Sequence, residues 1–500
     1  MKFNRESGIL LHPTSLPSKY GIGDLGKEAY EFIDFLYYSK QRLWQVLPLG
    51  PVGYGESPYQ SFSAFAGNTM LISIDKMIEL NLLTMEDVSP VPSFNELEVD
   101  FESVKEYKQN LFKLAFNRFS AIDNKSFESF IQENCNWLEE YSFFMALKEH
   151  FCGVAWNCWE KPIAQREAHA IEYFRNQLKN EIVYQKFLQF LFFSQWLELK
   201  GYANKKGIKI IGDIPIFISN DSSDAWSQRE LFEIDEVGNP TKVAGVPPDF
   251  FSETGQYWGN PHYKWAEIEN SQFKWWIDRF EKLLKVVDII RIDHFRGFEA
   301  YWEIPGYETT AVNGKWVKAP GRKLFQTIEK HLGKLPIIVE DLGVITKEVD
   351  ELKSAFDFPG MKILQFTFGK GAEERFLPHN YEIDSIVYTG THDNNTTVGW
   401  YKTSLETQPE AMEQLIKYFD IAEAVSPEDI CWKLIEAAFK CNSVIAIVPM
   451  QDLLCLDEEA RMNIPSTIGG NWNWRFKKEQ DITMVKERLV NLSETYNRNL

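Results

Sequence analysis

Eight short apolar runs recur along the chain, each followed by a stretch of helical periodicity. They cover residues 9–11, 44–49, 208–216, 287–292, 335–339, 361–366, 386–388 and 444–448. Their lengths suit strands, and the absence of strict alternation predicts burial on both faces. Between them, apolar residues return every three or four positions. Residues 27–42 carry Tyr30, Ile33, Phe35 and Leu36 on one side, and residues 263–284 carry Phe273, Trp276, Ile277, Phe280 and Leu284. Residues 323–332, 347–356, 410–419 and 481–496 follow the same rule. Ser426-Pro427-Glu428-Asp429 opens another helix with a cap, a first-turn proline and acids that suit the positive end of the dipole. Eight strand–helix units predict an α/β fold, a (β/α)8 TIM barrel.

Two spacings exceed a minimal barrel. About 160 residues separate the second and third runs. Within them, residues 101–119, 127–150 and 163–200 read as amphipathic helices. The expectation is one catalytic barrel domain over 1–500, an inserted, mostly helical subdomain over 54–205, and a loop subdomain over 217–262 after the third strand. A barrel keeps its functional loops at that end. Gly21-Ile22-Gly23-Asp24-Leu25-Gly26 fits a dinucleotide-binding pattern. The preceding strand ends some residues too early, and no acid stands at position 46, which is valine. A tight turn into a helix is the better reading.

Composition narrows the class. Fifty-three basic against 72 acidic residues give a net charge of −19, which opposes binding to nucleic acid or an anionic membrane. The longest apolar stretch, 187–197, is interrupted by Gln189, Ser194 and Gln195 and is shorter than the ~20 residues of a membrane span. Six cysteines without a CxxC pair, behind a start that lacks a signal-peptide apolar region, predict a reduced, cytoplasmic protein. The chain also holds 16 Trp, 20 Tyr and 37 Phe. Most of these rings belong in a core, though some suit the apolar faces of a sugar.

Barrel chemistry lies at the C-terminal ends of the strands. There the sequence places Asp213, Arg291-Ile292-Asp293-His294, Glu340-Asp341, Thr391-His392-Asp393-Asn394-Asn395 and Gln451-Asp452. One buried acid is readily explained by a structural ion pair, whereas acids at several strand ends suggest a shared site. Two carboxylates ~5 Å apart can divide glycoside cleavage between nucleophile and acid/base. Arg291 precedes Asp293 by two residues, so it is expected to face the same way and lower that aspartate's pKa. Burial beside other acids is expected to raise Glu340. Asp393 suits a role in holding sugar hydroxyls and the partly positive transition state. A metal reading has less support, because His12, His294 and His392 come from different strands without regular ligand spacing. Neither a metal nor a cofactor is expected.

These segments resemble the 4-α-glucanotransferases (amylomaltases, or disproportionating enzymes; glycoside hydrolase family 77) within the α-amylase superfamily. The resemblance runs in order through HPTSLPSKYGIGDLG from His12, WQVLPLGPVGYGESPYQSFSAFAGN from Trp44, GDIPIFIS from Gly212 and GVPPDFFSETGQYWGNP from Gly245. It continues through RIDHFRGF from Arg291, VEDLG from Val339, YTGTHDNNTTVGWY from Tyr388 and GNWNWRF from Gly470. It implies Asp293 as nucleophile, Glu340 as acid/base and Asp393 as transition-state stabiliser. It further implies that Tyr59, Asp213, Arg291 and His392 line the reacting sugar, that Ser57, Trp258, Asp341 and Asn463 contact neighbouring sugars, and that Tyr54 belongs to a second glucan-binding surface. No C-terminal β-domain is expected.

The activity so implied is transfer of an α-1,4-glucan segment to the 4-hydroxyl of another glucan or glucose, with retention. Maltooligosaccharides and starch- or glycogen-derived glucans would be the substrates. An α-1,4-glucan hydrolase of the same superfamily would share the three carboxylates. A non-catalytic glucan-binding protein would have no need of an acid/base. The segment Gly245–Trp258, with Phe250, Phe251 and Tyr257, and the Asn463–Gly470 loop are candidate covers over the cleft. Ser466 and Glu253 depart from the pattern of the resemblance, which has glycine and a small residue there.

Overall fold

The computed structural model describes residues 3–119, 125–248, 252–369, 374–421, 425–478 and 482–498. Twelve strands are found among them. They are β1 (Glu6–Leu10), β2 (Leu43–Gln45), β3 (Lys209–Ile214), β4 (Lys242–Val246), β5 (Gln256–Pro261), β6 (Ile289–Ile292), β7 (Ala300–Pro305), β8 (Lys315–Lys318), β9 (Ile337–Val339), β10 (Gly360–Ile363), β11 (Ser385–Tyr388) and β12 (Ile445–Pro449). Eight of them close a barrel in the order β1-β12-β11-β10-β9-β6-β3-β2, every pair parallel. These are the eight apolar runs of the sequence.

Burial on both faces explains their composition. Leu10, Leu43, Ile211, Ile289, Ile338, Met361, Ile386 and Ile447 pack together inside the barrel. Their neighbours Ile9, Trp44, Ile210, Ile290, Ile337 and Val448 belong to the cluster shared with the surrounding helices. Side chains alternate along a strand, so both sets must be apolar.

Periodicity located the helices, but some of them break inside the pattern. Residues 263–284 form two helices, Trp265–Asn270 and Lys274–Val286. Gln272 and Phe273 separate them with φ of 56° and 58°, a left-handed turn no continuous helix accommodates. Residues 127–150 divide into Lys125–Glu133 and Cys135–His150, and 163–200 into Lys161–Ala164, Ala168–Gln177 and Lys179–Lys205. The last is the inner helix of the stretch between β2 and β3. Its two mid-helix glutamines are pins. Gln189 accepts from the Gly67 N–H at 2.8 Å and donates to the Gly67 carbonyl at 2.9 Å, while Gln195 accepts from the Ser73 N–H at 2.7 Å. They satisfy backbone groups of the loop after β2 that packing alone would leave stranded.

The sequence reading missed a second sheet. β5-β4-β7-β8 is antiparallel and combines the loop after β3 with the loop after β6. The Gly21–Gly26 segment is the expected turn. The Gly26 N–H donates to Asp24 Oδ1 at 2.7 Å, and Gly26 caps the helix Lys27–Tyr38. Ser426 caps Pro427–Lys440 as expected, accepting from the Asp429 N–H at 3.2 Å. No helix among the described residues is long and apolar enough to cross a membrane.

Arg498 fastens the bottom of the barrel where β1 meets β12. It is fully buried and donates to the carbonyls of Phe439, Ala438, Cys441, Ser443 and Glu6 at 2.7–3.2 Å. Leucine there would strip all five of a charged donor, and Arg5 reaches only those of Phe439, Cys441 and Ser443. Arg498→Leu is expected to lower the unfolding free energy by about 3 kcal/mol or more in urea titrations. The kcat/KM of the protein that remains folded should be unchanged.

Candidate active site

The barrel twist brings the C-terminal ends of β3, β6, β9 and β11 to one mouth, and the side chains there are polar instead of apolar. Arg291, the third residue of β6, points inward beside Asp213 of β3, its register partner. Its guanidinium is 2% exposed and reaches three acids. Nη1 lies 2.5 Å from Asp213 Oδ2 and 3.1 Å from Asp293 Oδ1, and Nη2 lies 3.1 Å from Glu340 Oε2. Tyr59 donates to the same Asp213 oxygen at 2.8 Å. The His294 N–H donates to Glu340 Oε2 at 2.9 Å, which fixes the carboxylate of one strand end against the backbone of the next. His294 itself takes φ of 48° to make the turn.

Asp393 belongs to the same mouth but not to the guanidinium cluster. Asn463 donates to its Oδ1 at 2.7 Å, and His392 Nε2 lies 3.4 Å from its Oδ2. Arg461 donates to the Asp393 carbonyl at 2.7 Å and the Asn463 carbonyl at 2.8 Å. Tyr59 stacks on His392 at 5.2 Å, and Trp472 packs on both rings. Trp258 meets His294 edge-on at 4.9 Å. The Ser57 hydroxyl accepts from the Tyr59 N–H at 3.2 Å and orients the start of that loop. The side chain of Tyr54, and Phe250 and Phe251, lie outside the described residues.

Two strand-end acids also brace the fold. The Oδ2 of Asp341 holds Lys353 Nζ at 2.5 Å, and its Oδ1 accepts the Met361 N–H at 2.7 Å. An acid so satisfied clamps β9 to β10. Asp452 accepts from Thr389, from the Thr397 hydroxyl and from the Thr397 N–H at 2.5–2.7 Å, so it anchors the loop that carries Asp393.

Electrostatics reverse one expectation. Burial, then the charge of Glu340, push Asp293 well above the usual carboxylate range, against the pull of Arg291. Burial also works against ionised Glu340, yet Arg291, the His294 N–H and a hydrogen bond from Asp293 hold it below its usual value. The two carboxyls are hydrogen-bonding neighbours, and burial together with their mutual repulsion opposes ionising both at once. Asp213 is raised by burial, with Arg291 and His392 opposing. Arg291 stays charged, because the acids around it outweigh its own desolvation.

Sequence reasoning did not find Arg461, Trp472 or the β5-β4-β7-β8 sheet as parts of this mouth. Arg461 and Trp472 lie in loops far along the chain, with no periodicity to place them. Ser466, one of the two departures, has φ of 66° in the exposed loop after Asn463. Glycine would adopt that conformation without strain.

A closed parallel barrel with acids converging at the strand ends defines an enzyme of carboxylate acid–base chemistry. The 4-alpha-glucanotransferase family matches residues 11–481, and the chain belongs to that family. A 4-alpha-glucanotransferase of Streptococcus pneumoniae is 48% identical over 497 residues, covering 99% of this chain and 97% of that relative. One from Thermus thermophilus is 48% identical over 481 residues, 95% of each chain. Among solved structures, the amylomaltase from Streptococcus agalactiae in complex with acarbose superposes with a TM-score of 0.95 at 41% identity over 99% of both chains. The amylomaltase from Corynebacterium glutamicum shares the fold, with a TM-score of 0.78 at 16% identity over 98% of this chain and 75% of that one.

Three buried histidines around the mouth tie stability to pH. Burial holds His12 neutral down to about 3, and His262 and His294 down to about 4. Their folded pKa values lie below the ordinary 6.5, so their contribution is complete above that value and is lost as pH falls. The loss should reach roughly 2–3 kcal/mol per histidine by pH 4. Urea midpoints are expected to drop steeply between pH 6.5 and 4. His262→Gln, which cannot charge, should lose measurably less over that interval than the wild type.

Proposed function

We propose that this enzyme moves α-1,4-glucan segments between maltooligosaccharides, or starch- or glycogen-derived glucans, by double displacement with retention. The observation that carries the mechanism is the contact between the carboxyls of Asp293 and Glu340 under one guanidinium. Inverting enzymes need ~6.5–9.5 Å between their carboxyls to admit a water, whereas retaining pairs stand much closer. Catalysis begins with Asp293 ionised and Glu340 protonated, and the positive charge developing at the anomeric carbon favours that ionised Asp293.

The Asp293 carboxylate then attacks the anomeric carbon while Glu340 gives its proton to the leaving 4-oxygen. The departing glucan carries away a free 4-hydroxyl. In the second half, ionised Glu340 takes the proton of an acceptor 4-hydroxyl, that oxygen attacks the same carbon, and Asp293 is released. Asp393, steadied by Asn463 and His392, is suited to sugar hydroxyls and to the charge at the ring. Tyr59, Asp213, Arg291 and His392 surround that sugar. Ser57, Trp258, Asp341 and Asn463 would contact its neighbours, and glucose is the smallest acceptor in this reading. A cytoplasmic location is supported by six unpaired cysteines, of which Cys135, Cys152 and Cys158 are exposed.

Incubation with pure maltotriose tests the reaction. Transfer gives glucose and a ladder of longer glucans, hydrolysis gives only shorter sugars, and a binding protein changes nothing. Asp293→Asn, Glu340→Gln and Asp393→Asn are each expected to lose at least ~10³-fold in rate. Full activity in any of the three removes that residue from its role.

Transfer also requires that a bound acceptor outcompete water at ~55 M, which depends on near-attack geometry and a covered site. Tyr257, 40% exposed on β5, is the more exposed of the two described rings of the segment proposed as that cover, the other being Trp258. Tyr257→Ala is expected to raise the ratio of hydrolysis to transfer, read as new reducing ends against free glucose from maltotriose. An unchanged ratio with both rates reduced would assign Tyr257 to sugar binding alone.

A further inference from the structure

Behind the catalytic mouth a second cavity extends outward, between the loop after β2, the inner helix Lys179–Lys205 and the helix Lys274–Val286. Its cavity volume is about 80 Å³, and Tyr59 and Asp213 are among the residues that line it. The walls are apolar, with Phe65, Phe192, Phe193, Pro215 and Leu283 among them. Two cations, Arg279 and Lys282, line it as well.

Neither cation is neutralised in the usual way. Arg279 is 5% exposed, and its Nη1 is buried without a hydrogen-bond partner. Its guanidinium lies over Trp275 and Trp276 at 5.2 and 5.1 Å and is hydrogen-bonded to Tyr263. Asp224 attracts it, but that carboxylate already accepts the Ala64 N–H at 2.9 Å and Trp275 Nε1 at 3.3 Å. Lys282 has Phe193 4.0 Å and Trp137 5.0 Å from its ammonium, and Asn134 Oδ1 accepts one of its protons at 2.6 Å. Lys285 repels it and Glu133 attracts it weakly, while burial is the largest influence and lowers it to about 7. The acid that lines the cavity, Asp213, is occupied by Arg291 and Tyr59. Buried donors without acceptors are rare in folded proteins, because each retains its desolvation cost. Arg279 is such a donor, and beside it the partly buried Lys282 has one amide acceptor and no carboxylate among the described residues, so the two form a half-built ion pair facing one chamber.

We propose that this cavity is a binding site, separate from the sugar cleft, for a small organic anion with an apolar body, its anionic group held by Arg279 and Lys282. The aromatic and aliphatic walls take the body. The anionic group supplies the acceptor that Arg279 Nη1 lacks. Tyr59 and Asp213 form both the inner wall of this chamber and the edge of the catalytic cluster, so an occupant would stiffen Tyr59 where it stacks on His392.

Sodium benzoate is a suitable probe, with benzyl alcohol as its uncharged counterpart and inorganic phosphate as an anion without a body. Titration calorimetry on the intact enzyme should show one benzoate bound per chain and a raised thermal midpoint. Benzyl alcohol and phosphate should each bind at least tenfold more weakly, about 1.4 kcal/mol. Lys282→Met and Arg279→Gln should each weaken benzoate at least tenfold, and Lys282→Met decides alone if the buried Arg279 variant does not fold. Affinity should increase from pH 8.5 to 6.5 as Lys282 gains its proton. Binding should persist in saturating maltotriose. The proposal is overturned by no benzoate binding below ~10 mM, by unchanged affinity in the variants, or by displacement of benzoate by maltotriose.

Discussion

The catalytic mouth depends on one buried cation. Arg291 stands on β6 with almost no access to water, an arrangement that on its own would be prohibitively unfavourable. Three carboxyls from three strands make it tolerable, and it in turn keeps acids that repel one another within reach. Neither side of this cluster is stable without the other. The barrel is what lets them meet, because parallel strands in fixed register deliver Asp213 beside Arg291 and the next strand ends one step from Glu340.

That mutual dependence limits how much negative charge the cluster can carry. Arg291 is shared among three acids, and the His294 N–H adds a donor to Glu340 that favours its ionised form. Asp393 stands outside the guanidinium cluster, held by Asn463 and beside His392, so its position depends on the loops.

Much of this was legible in the sequence. The eight strands, the acids at their ends and the turn at Gly26 follow from local chemistry, in which a run is apolar on both faces or a side chain is polar where packing predicts otherwise. What remained hidden depends on partners distant in the chain. Asp341 and Asp452 look like Asp293 in one dimension, and only Lys353, Met361, Thr389 and Thr397 reveal them as braces. The small sheet escaped notice because β4 and β7 lie in separate loops and pair across more than 50 intervening positions. The upward push on Asp293 was not foreseen, because a residue spacing of two says which way Arg291 points but not how many acids it serves.

The loop beyond Asn463 bears on what neighbouring sequences can be. Ser466 holds a left-handed backbone, a conformation that asparagine or aspartate shares at modest cost and that valine or isoleucine all but forbids. The position is exposed, so burial would impose no selection on it. Its permitted alphabet is nonetheless short, and it is set by the main chain. Drift at this position can run toward glycine or a small polar residue and is barred toward branched ones, so an apparently free surface site has the mutational tolerance of a buried one.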